Sequence, residues 1–131
     1  VEKCERISEA HRKSIQNFYS AGGRIAMGTD AGTPFNLHGQ NALELRYMVE
    51  VGMAPTDALR AGTSVASELC GVGQRGRIVE GYSADFLIVK GNPLEDIEQA
   101  ADPSNHVGVF KDGRAVSGFV DMMGLDRVAV N

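Results

Sequence analysis

The chain has 131 residues, 43% of them hydrophobic, and a formal net charge of -4 at pH 7. This length suits one domain that buries a hydrophobic core, and the sequence has no basic run that could follow a phosphate backbone, so we expect no nucleic-acid partner. It also has no stretch of about 18 apolar residues for a membrane span and no charged-then-apolar signal peptide at its N-terminus. These features predict a cytoplasmic protein with no membrane partner.

The first element is an amphipathic helix that ends at the double glycine of positions 22 and 23. Apolar side chains recur at steps of three and four from Val1 to Phe18, and His11 falls on this apolar stripe, where a core or boundary histidine is expected rather than a ligand. Both cysteines, Cys4 and Cys70, occupy apolar positions of predicted helices without CxxC spacing. We therefore predict buried free thiols.

A short apolar run, residues 24–29 (RIAMGT), follows and ends abruptly at Asp30. Small or apolar residues on both faces of the run are typical of a buried strand in a parallel sheet. In a barrel of alternating strands and helices the C-terminal strand ends carry the catalytic residues, which makes Asp30 a catalytic candidate. An Asx turn toward Gly32 is the structural alternative for the same carboxylate.

The loop of residues 31–40 is longer than the usual link between a strand and a helix, which has about two to six residues. Loops of this length at a strand end commonly contact substrate. His38 is accordingly a second functional candidate, although it is equally compatible with an ordinary exposed residue next to Gly39.

Three helices are predicted next. The first begins near Asn41 with a capping box to Glu44, the second has Pro55 at its first position, and the third is capped by Thr63 or Ser64 and ends at Gly71. The core candidates on these helices are Leu43, Leu45, Met48, Leu59 and Leu69.

The second half of the chain changes to short strand patterns. Residues 84–89 form one predicted strand, and residues 107–111 and 114–120 form a hairpin around Asp-Gly, the signature of a type I′ turn. Residues 78–79 are a possible edge strand. We expect residues 97–105 to be a polar connection and His106 to be structural, so this half is a small antiparallel β unit.

A series of short motifs also runs through the chain in a fixed order. They are 27–34 (MGTDAGTP), 38–39 (HG), 44–45 (EL), 48–55 (MVEVGMAP), 58–61 (ALRA), 63–64 (TS), 76–78 (GRI), Gly81, 84–85 (AD), 91–94 (GNPL) and 111–114 (KDGR). In this order they resemble the C-terminal part of metal-dependent amidohydrolases, in the branch of imidazolonepropionase-like and prolidase-like enzymes. The resemblance covers all but about the last ten residues.

The resemblance implies an α/β fold. Residues 1–74 would be the last αβ units of a (β/α)8 barrel, residues 75–121 a small antiparallel part of a composite β-sandwich, and residues 122–131 a tail. It implies one or two divalent ions, usually zinc, at the barrel's C-terminal face. Asp30 would be metal ligand and catalytic proton carrier, beside a metal-activated water that hydrolyses amide or related C–N bonds.

The remaining ligands of such enzymes, a His-x-His and further histidine and lysine ligands, have no counterpart in this chain. A barrel of this kind takes about 250 residues, so we expect the chain to be a fragment that is inactive alone and self-associates as a homo-oligomer. Ala54 stands where relatives have a Thr or Ser helix cap. The rival hypothesis is a non-enzymatic, β-rich interaction module that retains a barrel unit as scaffold. The substrate is expected to be a small molecule that the sequence does not specify.

Overall fold

A computed structural model describes residues 2–118, with side chains from Ser8 onward. The Cys4 side chain, the predicted tail 122–131 and the last residues of the predicted strand 114–120 lie outside this part. The described chain contains five α-helices, a 3-10 turn and three strands. Their bounds are α1 Glu2–Ser20, α2 Leu43–Glu50, α3 Pro55–Ala61, α4 Ser64–Cys70, β1 Phe86–Val89, α5 Glu98–Ala101, the 3-10 turn Pro103–Asn105, β2 His106–Lys111 and β3 Arg114–Ser117.

Helices α1 to α4 precede a three-stranded antiparallel sheet of order β1-β2-β3, and α5 with the 3-10 turn lies between β1 and β2, so the described chain is a small α/β unit. Phe86 of β1 is paired with Phe110 of β2, and their rings stack with centroids 4.5 Å apart. The predicted Asp-Gly hairpin is confirmed. Asp112 and Gly113 both have positive φ, at 48° and 76°, as a type I′ turn requires.

The hydrophobic core joins the two halves of the chain. Helices α2, α3 and α5 supply most of it, and a bidentate ion pair between Arg46 of α2 and Glu98 of α5 closes one side. The core residues that are buried below a tenth of their surface are Leu45, Met48, Met53, Ala58, Ala61, Ile97, Ala100 and Ala101.

The first four helix predictions are confirmed in type and place. Glycines 22, 52 and 71 have positive φ just beyond α1, α2 and α4, and Pro55 opens α3 as predicted. The predicted capping box is wrong, because α2 begins at Leu43 after Ala42 with no side-chain cap. Thr63 does precede α4, but its hydroxyl donates to the Leu59 carbonyl oxygen at 2.7 Å instead of capping.

Residues 24–29 are not a paired strand within the described chain. Ile25, Ala26 and Met27 are half-buried, and the segment is fixed by a bond of 3.0 Å from the Met27 amide to the Ala61 carbonyl oxygen. Ile25 and Met27 pack against the core. The segment therefore lies beside the core without the neighbours on both sides that a buried strand would have.

Several burial predictions are wrong for a similar reason. Leu69 is 76% exposed and the Cys70 thiol is exposed at the end of α4, because only the first part of this helix, with the half-buried Val65 and Ala66, is covered in the described residues. His11 is also exposed. The proposed edge strand 78–79 does not form, and Ile78 is 91% exposed.

The connection 97–105 is not merely polar. It holds helix α5 and the 3-10 turn, because Ile97, Ala100 and Ala101 provide apolar contacts that hold this short segment on the core. None of the described helices is both long and apolar enough to cross a lipid bilayer.

Candidate functional site

The loop that follows the half-buried segment is built from two consecutive hydrogen-bonded turns. The Thr33 amide donates to the Asp30 carbonyl oxygen at 3.3 Å, and the Asn36 amide donates to the Thr33 carbonyl oxygen at 3.0 Å. A third bond of 2.8 Å, from the Gly32 amide to the Asn36 carbonyl oxygen, folds the second turn onto the first. Residues 30–36 therefore form one compact unit.

The two turns use different residues for the same backbone conformation. In each, the third residue has positive φ, 100° at Gly32 and 67° at Phe35, while the second residue does not. This pattern defines type II turns, which favour proline in second place, as at Pro34, and glycine in third. Left-handed backbone costs a non-glycine residue roughly 1–2 kcal/mol, so Phe35 is an unfavourable choice at its position.

Asp30 begins the unit as an exposed residue with a φ of 49°, a conformation that Asp tolerates better than most residues. The side chain of Asn36 donates to the carbonyl oxygen of Thr29, which immediately precedes Asp30. The last residue of the unit formed by residues 30–36 is thus bonded to the residue next to the candidate carboxylate.

His38 is brought to the same loop. Its imidazole lies against Gly32, where a Cβ atom would come within 2.8 Å of Nε2. The structure therefore places both sequence-predicted site residues, Asp30 and His38, in one exposed loop, and Gly32 is required both for its φ of 100° and for the close approach of the ring.

The other two histidines lie elsewhere. His106 is half-buried at the start of β2, and its Nε2 lies 2.9 Å from the Ala100 carbonyl oxygen, which agrees with the predicted structural role. His11 lines a cavity of about 330 Å³ between α1, residues 25–28 and α2, together with Glu44. Burial raises the pKa of Glu44, and nearby His11 partly opposes this shift.

A second cavity, of about 420 Å³, lies between α4 and residues 71–82. Glu68 pairs there with Arg24 and Arg77, and the hydrogen bond from Arg24 holds the pKa of Glu68 below its usual value. The single carboxylate of Glu68 thus pairs with two guanidinium groups, of which that of Arg77 lines the cavity.

The described residues do not form a metal site by themselves. They contain no group of three or more His, Cys, Asp or Glu side chains that could hold an ion. A catalytic zinc needs three protein ligands, and Asp30 with His38 supplies at most two. The ligand set implied by the sequence motifs therefore does not fit the described part of this chain alone.

Comparison with known proteins shows the family of this chain. Residues 1–116 match the Amidohydrolase family. The chain belongs to this family. Ochratoxinase from Aspergillus niger is 36% identical over 119 residues, which are 88% of this chain and 24% of that protein. The resemblance noted in the sequence motifs is thereby confirmed.

Solved amidohydrolase-family structures agree with the fold. The crystal structure of the A. niger ochratoxinase superposes with a TM-score of 0.78 at 35% identity, over 89% of this chain and 27% of that one. A Xaa-Pro dipeptidase with methionine bound in its active site gives a TM-score of 0.73 at 38% identity, over 82% and 25%. The chain spans about a quarter of the length of these relatives.

Two residues of the site were missed by sequence reasoning, Phe35 and Asn36. The signal for Phe35 was present, because proline is common in second place of a type II turn, whose third place favours glycine or asparagine. Asn36 gave no comparable signal, since its bond to Thr29 depends on how the two turns fold together.

Proposed function

We propose that this chain is the C-terminal portion of a metal-dependent amidohydrolase that hydrolyses amide or related C–N bonds. The observation that carries the proposal is the position of Asp30. In a member of the Amidohydrolase family, it stands at the end of a half-buried extended segment and at the start of a hydrogen-bonded loop. Membership in the Amidohydrolase family favours this function over the rival hypothesis of a non-enzymatic interaction module.

The proposed placement of residues 1–74 in the last units of a (β/α)8 barrel rests on segment 24–29. This segment is half-buried and anchored to Ala61, yet it pairs with no strand in the described chain. A strand whose neighbours belong to other parts of a larger protein would have this appearance. Residues 75–121 would then be part of a β-sandwich, as the three-stranded sheet allows.

Asp30 would serve as the base in this reaction. An exposed carboxylate on a fixed loop can accept the proton of an attacking water and pass it to the leaving nitrogen. We also propose that the Asp30 carboxylate is a ligand of the divalent metal ion, with zinc as the metal to be tested. Because the described residues do not complete a metal site, the other ligands would have to come from outside them, and the chain alone would be inactive.

His38 is proposed as a substrate contact, because its imidazole lies on the loop that begins at Asp30. A small-molecule substrate, a cytoplasmic location and a homo-oligomeric state remain proposals of the same kind. Exposed apolar residues on α4 and the segment after it, such as Leu69 and Ile78, support self-association of the chain when it is isolated.

The test is Asp30→Asn in the complete protein, assayed on N-acyl amino acids and dipeptides. Loss of the base should lower kcat by about a hundred- to ten-thousandfold. Stability should change little, because Asn also tolerates left-handed backbone and serves an Asx turn. Asp112→Asn is the matched control, since Asp112 is another exposed turn aspartate, with a φ of 48°.

The outcomes separate catalysis from turn geometry. Near-normal turnover of Asp30→Asn with zinc still bound would overturn the assignment, whereas an equal loss in Asp112→Asn would point to a general effect of the substitution. In the same assay His38→Ala should raise KM more than it lowers kcat if the imidazole contacts substrate.

A further inference from the structure

Phe35 violates two local rules at once. Its backbone is left-handed, with a φ of 67°, at a turn position that ordinarily takes glycine, and its side chain is fully exposed, at 104%. The preceding turn of the same loop does use glycine, Gly32, for this conformation. Contacts within the described chain therefore do not account for an aromatic residue at position 35.

The loop holds this ring near the candidate carboxylate. Phe35 is followed directly by Asn36, whose side chain donates to the carbonyl oxygen of Thr29, the residue before Asp30. Each hydrogen-bonded turn brings its first and fourth Cα atoms to within about 7 Å, so two stacked turns keep Phe35 within roughly 12 Å of Asp30. A dipeptide backbone spans about 7 Å at about 3.5 Å per residue, and the side chains of the substrate and of Phe35 would have to cover the rest of this distance.

The surroundings of the ring have the composition of a small-molecule site. Asp30, Thr33 and His38 supply a carboxylate, a hydroxyl and an imidazole on the same exposed loop, and Phe35 supplies an aromatic face. Binding sites for small molecules combine apolar walls with a few placed polar groups. Strained residues that the rest of a structure holds in place are concentrated at such sites.

We propose that Phe35 is a specificity-determining residue, whose ring contacts an aromatic or large aliphatic side chain adjacent to the scissile amide. The substrate class is therefore an amide of a hydrophobic amino acid. This inference rests on the proposed function, because it takes the reacting bond to lie at Asp30.

The experiment compares Phe35→Ala and Phe35→Gly with wild type in the complete protein. The substrates are N-acetylated amino acids and alanyl dipeptides whose variable residue is Gly, Ala, Leu or Phe. We expect kcat/KM for the Leu and Phe substrates to fall about ten- to hundredfold and that for the Gly substrates to stay within about twofold, because only the large side chains contact the ring.

Two features of the design separate substrate contact from folding. Phe35→Gly removes the ring and also relieves the left-handed backbone, so its melting temperature should not fall below that of Phe35→Ala. Ile78→Ala is the control for loss of an exposed apolar side chain, since Ile78 is 91% exposed on a different segment, and it should leave the substrate preference unchanged.

A uniform loss of kcat/KM across the substrates, or no change for any, would overturn the role of Phe35. Light scattering tests the alternative that the ring makes a protein contact. If both Phe35 variants lose assembly while their substrate preference is unchanged, the ring belongs to such a contact and the proposed role of Phe35 in specificity is overturned. Failure of the wild-type protein to hydrolyse any amide in the panel would overturn the proposed function itself. These results are distinguishable because the first two require an active wild-type enzyme.

Discussion

The phenolic hydroxyl of Tyr19 donates a hydrogen bond of 2.6 Å to Oδ2 of Asp57, which lies 38 positions further along the chain. The same hydroxyl accepts a bond of 3.2 Å from the amide of Ala54, the residue that precedes α3. In a capping box the third helical residue would reach this amide directly. Here the tyrosine from α1 stands between the amide and the Asp57 carboxylate and takes the place of that direct bond.

This arrangement predicts that Tyr19→Phe destabilises the chain by about 1 kcal/mol, the net contribution of a typical intramolecular hydrogen bond. Both the Ala54 amide and the Asp57 carboxylate lose a partner in this variant. Urea denaturation followed by circular dichroism measures the change. Tyr47→Phe is the control, because Tyr47 is half-exposed and its hydroxyl makes no hydrogen bond in the described part of the chain.

A second variant separates this bond from side-chain capping. Ala54→Ser introduces a side-chain cap worth about 1 kcal/mol, because its hydroxyl can accept from the Asp57 amide, which is not the amide that Tyr19 binds. The gain should therefore be about the same in the wild-type and Tyr19→Phe backgrounds. A much smaller gain in the wild-type background would show that the introduced hydroxyl and Tyr19 compete for one amide.

The second prediction concerns Glu44, which lines the cavity between α1 and α2 near His11, Arg12, Tyr47 and Glu50. Burial raises its pKa in the folded chain. The folded state then binds the proton more tightly than the unfolded state, so the ionised carboxyl opposes folding above the unfolded pKa of about 4.3, and this cost is removed as the pH falls below it.

Glu44→Gln should therefore stabilise the chain at pH 7 and lose this advantage near pH 4. Because the carboxyl is only partly buried, solvent screening limits the gain to about 0.5 kcal/mol. Urea titrations at several pH values measure it, with Glu50→Gln as the exposed control on the same helix. A gain that persists unchanged at low pH would contradict the burial argument.

The third prediction compares two glycines of the segment after α4. Gly76 has a φ of 75° and lies against the start of α4, where an added Cβ would come within 2.6 Å of the Thr63 carbonyl oxygen. Gly73 has a φ of 51° but has no atom within 4 Å of such a Cβ. Both substitutions to alanine incur backbone strain, and only one creates an overlap with backbone atoms.

Gly76→Ala should accordingly cost about 1–3 kcal/mol more than Gly73→Ala, the range for overpacking a closely packed site. Differential thermal unfolding of the two variants isolates this overlap, because the strain of left-handed backbone is common to both. Equal losses would mean that residues 73–77 do not pack on α4 as described.

Much of this molecule could be predicted from local sequence. Helices α1 to α4, the terminating glycines and the Asp-Gly hairpin followed from periodicity and turn chemistry, which depend on neighbouring residues alone. The order of motifs likewise indicated the amidohydrolase family without any tertiary information. Asp30 and His38 were found because their residue types and the strand-end pattern are visible in the sequence.

The tertiary structure decided the contacts between segments that are distant along the chain. Burial depends on neighbouring elements, so the exposed Cys70 and segment 24–29, which pairs with no strand in residues 2–118, differed from what an apolar pattern predicted. The core position of Ile97 and the hydrogen bonds of Tyr19 to the start of α3 depend on contacts across many residues. The sequence by itself thus determined the local elements and the family. Only the folded chain decided which surfaces are covered and which residues approach closely, because packing depends on the positions of atoms far apart along the chain.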